Sequence, residues 1–416
     1  MPSIPDAILT INADDPSALT RLLDLPAWQV TRMDLAAGPQ RLVLHCAIQL
    51  PGAACPTCQT WSAAPHDYAT RTVRDLPWAG WASWLCFTTC RWFCAPCHRP
   101  FTPSVTALAP YGRTTRRYAD LLVAQVRASS VQATAQQQQH GYKAVEGIYY
   151  RAAAATHPSG PPAGLIRRLG IDEIAARKGQ GQYRLVLVDL DRGRVIEQLA
   201  DRQKATLREY LLSWPAEQRA AVEDVATDFW AAYHEVVAEV LPTARVTGDR
   251  FHVQQHVNEA LTTVRVVEQR KLGKEDREFV FQQRHVLGRN EEELDAADWV
   301  NLEVIKQGVP VLGRAHELKE ELRRIYQTVP DRAGAAHAVG AWIAHALGSG
   351  IPALVAVGGF VERWREAILN YFVARTTSGM VEGLNNKIKL IKRQAFGFRN
   401  DRHFRLRVLM ACDGAA

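Results

Sequence analysis

Glu382 stands at the head of a segment whose other charged residues are basic. The segment, residues 378–400, reads SGMVEGLNNKIKLIKRQAFGFRN and contains no second acid. Its pattern predicts a helix over residues 381–393, and helical steps of three and four place Glu382, Asn386, Lys389 and Arg393 on one face. A metal-dependent phosphodiester enzyme needs a carboxylate for a divalent ion and cations for the phosphate backbone. The alternative is a basic, solvated surface helix.

Two further acids stand at predicted strands. Asp172 lies within the apolar run of residues 165–174, and Asp228 ends the run of residues 222–227. Residues 165–254 predict three strands, a helix, a strand, a helix and a strand, which is the order of the ribonuclease H-like fold. In that fold the first strand crosses the middle of the sheet beside the fourth, so Asp172 and Asp228 should meet. A carboxylate in a buried strand is costly unless it is paired or binds a metal.

Four of the eight cysteines form two Cys-x-x-Cys pairs, Cys55 with Cys58 and Cys94 with Cys97. Four thiolates satisfy a tetrahedral Zn²⁺ ion, and two such knuckles separated by strands are typical of a zinc ribbon. The spacing therefore predicts a structural zinc site, and the alternative is a set of reduced, buried thiols. Spare donors that could replace one ligand are Cys86, Cys90, His66 and His98.

The segment after the cysteines predicts three helices, at residues 113–127, 131–139 and 143–155. A helix, a short turn containing Gly141 and a helix form the pattern of a helix-turn-helix, whose second helix enters the major groove of DNA. The alternative is an ordinary three-helix bundle. The candidate DNA contacts here are Arg113, Arg116, Arg117, Lys143, Tyr149 and Arg151, and those of the Glu382 segment are Lys387, Lys389, Lys392, Arg393 and Arg399.

The charge distribution supports a polyanionic partner. The net charge is +7, and two segments hold much of the excess. Residues 98–151 carry seven Lys and Arg against two acids, and residues 383–407 carry eight against one. The first residues lack the pattern of a signal peptide, and no apolar run approaches the roughly 20 residues of a membrane span. We expect a soluble, cytoplasmic and nucleoid-associated bacterial protein without a membrane partner.

The overall prediction is a multidomain α+β protein. An N-terminal zinc ribbon (residues 1–104) precedes a helix-turn-helix domain (105–160). A ribonuclease H-like α/β catalytic core follows in two parts, residues 161–254 and 376–416, with the Glu382 helix in the second part. An all-helical insertion (255–375) separates these two parts.

With these residues placed, the chain resembles a DDE transposase of a bacterial insertion sequence, of the ISL-three family. The resemblance rests on the two cysteine pairs and on four segments around the acids: Gly-Ile-Asp172-Glu, Val-Ala-Thr-Asp228-Phe-Trp, Asp249-Arg-Phe-His252 and Val-Glu382-Gly-Leu-Asn-Asn-Lys-Ile-Lys-Leu-Ile-Lys-Arg393. It implies an N-terminal region that recognises terminal inverted repeats of double-stranded DNA, and a catalytic domain that cleaves the ends and joins them to target DNA. The family pattern also favours Asp172 over its neighbour Glu173.

The resemblance implies two-metal phosphoryl transfer with Mg²⁺ or Mn²⁺. Asp172 would bridge both ions, while Asp228 and Glu382 would each hold one. Asp249 and His252 would orient these ligands, or they form a structural pair at a strand end. Because two DNA ends must be brought together, a homodimer on DNA is expected. The alternatives are a catalytically silent DNA-binding regulator, which the intact acids disfavour, and a structure-specific nuclease.

Overall fold

The computed structural model describes residues 16–36, 38, 40–108, 112–177 and 181–414. The chain divides into two compact units, the first ending at Thr156 and the second beginning at His157. The division falls at the start of residues 157–164, whose Pro- and Gly-rich composition marks a linker. No helix in the described part of the chain has both the length and the apolar character needed to cross a membrane.

A mixed sheet forms the larger part of the first unit. In chain order its elements are α1 (Pro16–Leu23), β1 (Trp28–Ala36), β2 (Arg41–Ile48), β3 (Ala53–Ala54), β4 (Trp61–Ser62), β5 (Pro65–Trp78), β6 (Trp81–Cys94) and β7 (Arg99–Phe101). The strands pair in the order β1–β2–β6–β5, with β7 alongside β6. Alternate residues such as Leu42, Leu44, Leu85 and Phe87 are buried, as a half-covered sheet requires.

Three helices complete the first unit: α2 (Arg116–Ala128), α3 (Val131–Gln137) and α4 (Tyr142–Thr156). The predicted first helix starts three residues too early, because the Thr115 side chain caps α2 and the preceding backbone pairs with Arg74 of β5. The Ser130 hydroxyl caps α3 by accepting from the backbone N–H of Ala133 at 3.1 Å. The helices bury Tyr118, Leu122, Val126, Val145 and Tyr149.

The second unit begins with a sheet and its flanking helices. They are β8 (Arg168–Arg177), β9 (Gln182–Asp189), β10 (Arg194–Gln198), α5 (Lys204–Leu212), α6 (Ala216–Ala220), β11 (Asp224–Thr227), α7 (Ala231–Val240) and β12 (Arg245–Gly248). The order is β10–β9–β8–β11–β12, so the first strand lies in the middle with the fourth beside it. β8 pairs antiparallel with β9 and parallel with β11.

A helical bundle follows in the chain. It comprises α8 (Arg250–Gln269), α9 (Lys274–Gln282), α10 (Arg284–Gly288), a 3₁₀ turn (Glu291–Glu293), α11 (Ala296–Gly308), α12 (Pro310–Thr328), α13 (Arg332–Leu347), α14 (Pro352–Arg363) and α15 (Arg365–Ala374). The bundle has its own apolar core, in which Trp342 is fully buried. The Asn370 amide of α15 donates to the carbonyl of Val246 in β12 at 2.9 Å, which ties the bundle to the sheet.

The chain ends with α16 (Gly379–Gln394) and α17 (Asp401–Ala411), which cover one face of the sheet. Val186 and Val188 point to this face and pack with Ile388 and Val408. The intervening Leu185 and Leu187 point to the opposite face, which α5 and α7 cover. Since successive strand residues alternate between faces, the apolar run of β9 is explained by burial on both sides.

A cluster of ionisable side chains is buried in α12. Lys319 and Glu320 are almost completely buried and form an ion pair at 2.8 Å, and the Lys319 ammonium also donates to the carbonyls of Leu287 and Arg289. His316 is fully buried beside them, and neither ring nitrogen has a hydrogen-bond partner in the described part of the chain. Burial and the nearby Lys319 charge lower the pKa of His316 to about 3.

The stability of the second unit should therefore decrease on acidification. Between an unfolded-state pKa near 6.5 and the folded value, the unfolded chain binds a proton at His316 that the folded chain does not. We expect this residue alone to reduce the free energy of unfolding by up to about 1.4 kcal/mol for each unit that the pH falls below 6. Urea unfolding from pH 7 to pH 4 should show a shallower dependence in His316→Leu than in the wild type. His337→Leu is the control, because His337 is exposed. An equal dependence of the unfolding free energy on pH in all three proteins would contradict the expectation.

Candidate active site and metal centre

Asp172 and Asp228 lie at the same level of two neighbouring strands. β8 and β11 run parallel with Ile171 opposite Thr227, and the two aspartates are the next residues along each strand. Burial raises the pKa of both carboxyls, and the charge of Asp172 further raises that of Asp228, to about 6. A half-buried pair of mutually repelling carboxylates is a donor set that a divalent cation stabilises, and oxygen ligands suit Mg²⁺ or Mn²⁺. The residues present therefore fit the metal expected from the sequence.

Asp172 and Glu173 face opposite sides of β8. The Asp172 carboxylate accepts from the backbone N–H of Glu173 at 2.6 Å and from the Asn385 amide of α16 at 2.7 Å. The Glu173 carboxylate instead accepts from the Tyr233 hydroxyl at 2.7 Å and pairs with Arg202 at 2.9 Å. Glu173 is thus held by α7 and the loop before α5, and Asp172 is the acid of this pair that lies toward α16.

Asn385 is a site residue that the sequence reasoning missed. Its side chain is 4% exposed, its Nδ2 donates to Asp172, and its Oδ1 is buried without a hydrogen-bond partner in the described part of the chain. A buried carbonyl oxygen without a donor is unfavourable, so this atom is available to a ligand or water at the aspartates. The helical spacing could have indicated this residue, because Asn385 lies three residues after Glu382 and so near it on the helix surface.

Asp249 and His252 lie beside Asp228. Nδ1 of His252 is 3.0 Å from Asp249 Oδ2 and 3.2 Å from Asp228 Oδ1, and one ligand atom from each residue lies within 4.8 Å of the others. The hydrogen bond to Asp249, with the charge of Asp228, raises the pKa of His252 to about 9. Asp249 caps α8 and is hydrogen-bonded to Ser378 at the start of α16. Asp249 directly follows β12 and thus connects His252 to the start of the Glu382 helix.

Glu382 lies in the first turn of α16 and is exposed. In the described part of the chain, the ligand atoms that lie within 4.8 Å of one another here are those of Asp228, Asp249 and His252, and this group includes neither Glu382 nor Asp172. The helix itself is held close to β8, because a Cβ on Gly170 would lie 2.6 Å from a methyl carbon of Val381. Only glycine at position 170 allows this approach. The structure therefore brings the Glu382 helix to the aspartate pair, with Glu382 about one turn before Asn385.

The basic residues of the second unit differ in their environment. Lys387, Lys389, Arg393 and Arg399 are exposed, so their charges can reach a phosphate backbone. The Lys392 ammonium instead donates to the carbonyl of Ala175 in β8 at 2.6 Å. Lys392 therefore also anchors α16 to the strand that carries Asp172.

The four predicted zinc ligands come together in the first unit. The sulfur atoms of Cys55, Cys58, Cys94 and Cys97 all lie within 4.8 Å of one another. The Cys55–Cys97 and Cys58–Cys94 sulfur distances are 3.9 Å and 3.4 Å. Thiolates at about 2.3 Å from a tetrahedral zinc ion are about 3.8 Å apart, so this geometry suits Zn²⁺. In the described part of the chain, this group includes none of the spare donors that could have replaced a ligand. These are Cys86, Cys90, His66 and His98.

One of the predicted DNA contacts in the first unit is wrong, and a second is paired inside the unit. Tyr149 is fully buried in the helical core, where it cannot contact DNA. Arg117 forms an ion pair with the fully buried Asp75 and donates to the carbonyl of Leu23, so its guanidinium is used inside the unit. The remaining candidates are exposed; they are Arg113, Arg116, Lys143 and Arg151.

Comparisons with known proteins match both units. The profile of a family described as transposase, DDE_Tnp_ISL3, matches residues 169–408. A second profile, described as the zinc-finger of transposase IS204/IS1001/IS1096/IS1165, matches residues 51–97. The transposase for insertion sequence element IS1001 of Bordetella parapertussis is 29% identical over 367 residues, which cover 87% of this chain and 89% of the relative. The transposase for insertion sequence element IS1557 of Mycobacterium tuberculosis is 28% identical over 332 residues, 73% of each chain.

Proposed function

The chain belongs to the ISL3 family of transposases, and from this premise we propose that it cleaves DNA at the ends of an insertion sequence and joins the freed 3′-OH to target DNA. The observation that carries this proposal is the pair of half-buried aspartates, Asp172 and Asp228, side by side on the central strands of the second unit. The strand order β10–β9–β8–β11–β12 supports a ribonuclease H-like catalytic core.

The acids of the site would hold the catalytic ions. Asp172, Asp228 and Glu382 would together hold two Mg²⁺ or Mn²⁺ ions. When bound, two such ions supply activation of an attacking hydroxyl and neutralisation of the leaving 3′ oxygen in an in-line displacement. Asn385 orients the Asp172 carboxylate, and the His252 cation with Asp249 orients that of Asp228. Lys389 and Arg393 would bind phosphates near the scissile bond.

The first unit would supply recognition of the terminal inverted repeats. The first unit contains the zinc ribbon, and α3 and α4 would act as a helix-turn-helix whose exposed Lys143 and Arg151 contact the DNA. We propose that two copies act together on two DNA ends, in the cytoplasm and in association with the nucleoid.

A cleavage and joining assay tests the function directly. The DNA would carry the sequences that flank the gene, and the full chain would be compared with Asp172→Asn in Mg²⁺ and in Mn²⁺. We expect metal-dependent nicking at a repeat end that the variant loses by at least about 10³-fold. Tight binding without nicking by the wild type in either metal would favour the DNA-binding regulator, and nicking of branched DNA without regard to sequence would favour the nuclease.

Asn385→Leu should weaken catalysis without weakening DNA binding. Leucine keeps the volume but removes the donor to Asp172, and loss of such an orienting hydrogen bond typically costs 10–100-fold in activity or metal affinity. We expect a cleavage rate about 30-fold lower and a higher Mg²⁺ concentration for half-maximal rate. Gln394→Leu, which replaces an exposed amide at the far end of the same helix, is the control. An unchanged Mg²⁺ dependence in Asn385→Leu would show that the amide does not position the metal ligand.

A further inference from the structure

A cavity beside Asp228 adjoins a second, polar cleft. The first, of about 520 Å³, reaches Asp228 and has aromatic walls formed by Phe229, Trp230, Phe360 and Trp364. The second, of about 590 Å³, is a polar cleft lined by Tyr183, Arg202, Lys392 and Arg399. Trp230 lines the first cavity, Arg202 lines the second, and these two side chains are in contact. Because these side chains touch, the two cavities adjoin, and we call them together the path.

The boundary between the cavities is a row of three flat groups. The guanidinium carbon of Arg202 lies 4.4 Å from the ring centre of Tyr183 and 5.3 Å from that of Trp230. The Arg202 position is held by its ion pair with Glu173. Tyr183 is 37% exposed and Trp230 is 38% exposed, so part of each ring is open to solvent. Exposed aromatic faces in a row are suited to stacking with other flat rings.

The aromatic walls come from separate parts of the fold. Phe229 follows Asp228, and its ring fits only because position 248 is glycine, where a Cβ would lie 2.1 Å from it. The Phe229 ring contacts Phe360 and Trp364 of the helical bundle at centroid distances of 5.0 Å and 5.7 Å. The bundle thus contributes one wall of a cavity whose other wall carries an active-site acid.

Two cations of the polar cleft are bound to β8 beyond Asp172. Arg202 is bound to Glu173, and Lys392 is bound to the carbonyl of Ala175. Ala175 lies three residues after Asp172, and three residues of a β-strand span about 10 Å. This length corresponds to one or two nucleotides of extended single-stranded DNA. Arg399 is exposed at the same cleft. Cations beside stacking surfaces are the composition of sites that bind single-stranded nucleic acid.

We propose that this path binds a short unpaired segment of the DNA strand that contains the scissile phosphodiester. Its bases stack on Trp230, Tyr183 and the aromatic walls, and its phosphates lie beside Lys392 and Arg399. The inference rests on the proposed cleavage function and specifies its substrate: the end of the element is opened into single strands at the active site. Duplex DNA presents its base edges rather than its ring faces, so it does not use these surfaces.

Binding of an unpaired oligonucleotide tests the site without catalysis. Fluorescence anisotropy would follow a labelled twelve-nucleotide oligothymidylate on the full chain with no divalent ion added. Trp230→Leu and Tyr183→Leu should each weaken binding by about tenfold, and Trp230→Phe should keep affinity within about threefold. Trp299→Leu is the matched control, because Trp299 is also 38% exposed and lies elsewhere on the bundle. Wild-type affinity in both Trp230→Leu and Tyr183→Leu, each folded by circular dichroism, overturns the proposal.

Cleavage of pre-opened DNA tests the use of the site. Repeat-end DNA with mismatches at the cleavage position should restore most of the rate that Trp230→Leu loses on fully paired DNA. Equal relative rates of variant and wild type on both DNAs overturn the proposal. If the wild type cuts neither DNA, the proposed cleavage function fails, and the oligothymidylate binding still decides whether a single-strand site exists.

Discussion

Glu382→Gln should abolish cleavage at a repeat end while leaving the affinity for that DNA unchanged. Glutamine keeps the shape of the side chain but removes the negative charge that a divalent ion requires. We expect the cleavage rate to fall by at least about 10³-fold, which corresponds to about 4 kcal/mol of transition-state stabilisation. Because Glu382 is exposed, its replacement by glutamine should not disturb folding, and a folding defect would not explain such a loss. Single-turnover cleavage and a gel-shift titration on the same DNA measure the two effects.

The control for this experiment is another exposed glutamate of the second unit. Glu366 is paired with Arg332 on the surface of the bundle, and Glu366→Gln should cleave at the wild-type rate. Glu382→Asp should retain partial activity in Mn²⁺, because the charge remains but the reach is shorter. Normal cleavage by Glu382→Gln would show that the third acid of the site has been assigned to the wrong residue.

Cys94→Ser should release zinc and unfold the zinc ribbon of the first unit. Cys94 is buried and packs with Cys55, Trp92 and Phe101 in a small apolar cluster. Zinc binding contributes on the order of 10 kcal/mol to the folding of small metal-stabilised domains, and a missing thiolate removes much of it. We expect the first unit to melt more than about 10 °C lower than in the wild type. Metal content by mass spectrometry and a calorimetric scan measure the change.

Cys86→Ser is the control that separates the effect of losing zinc from the effect of replacing a cysteine. Cys86 lies on the same strand as Cys94 but outside the cluster, so its replacement should keep the full zinc content. The sequence-specific binding of repeat DNA should weaken in Cys94→Ser and not in Cys86→Ser, since the first unit is proposed to read the repeat. Unchanged zinc content in Cys94→Ser would exclude these four cysteines as the ligands.

Local patterns in the sequence were sufficient for the elements that depend on short spacing. The two Cys-x-x-Cys pairs predicted the cluster, because two residues between ligands already bring both sulfurs of a knuckle together. The apolar runs around Asp172 and Asp228 predicted two strands, because burial and chain geometry within a few residues are recorded in a single sequence. That these strands are neighbours was predicted from the order of elements in the ribonuclease H-like fold, and the structure places β8 and β11 side by side.

Contacts between distant residues were decided only by the tertiary structure. Tyr149 and Arg117 are residue types that often contact DNA. Packing against other elements instead buries the Tyr149 ring and places Asp75 against the Arg117 guanidinium. Asn385 meets Asp172 across 213 residues of chain. The Trp230–Arg202–Tyr183 row likewise joins three separate segments. Side-chain types and helical or strand periods specify which chemistry is available and on which face, whereas the packing of sheet, bundle and helix α16 determines which of those groups share a site.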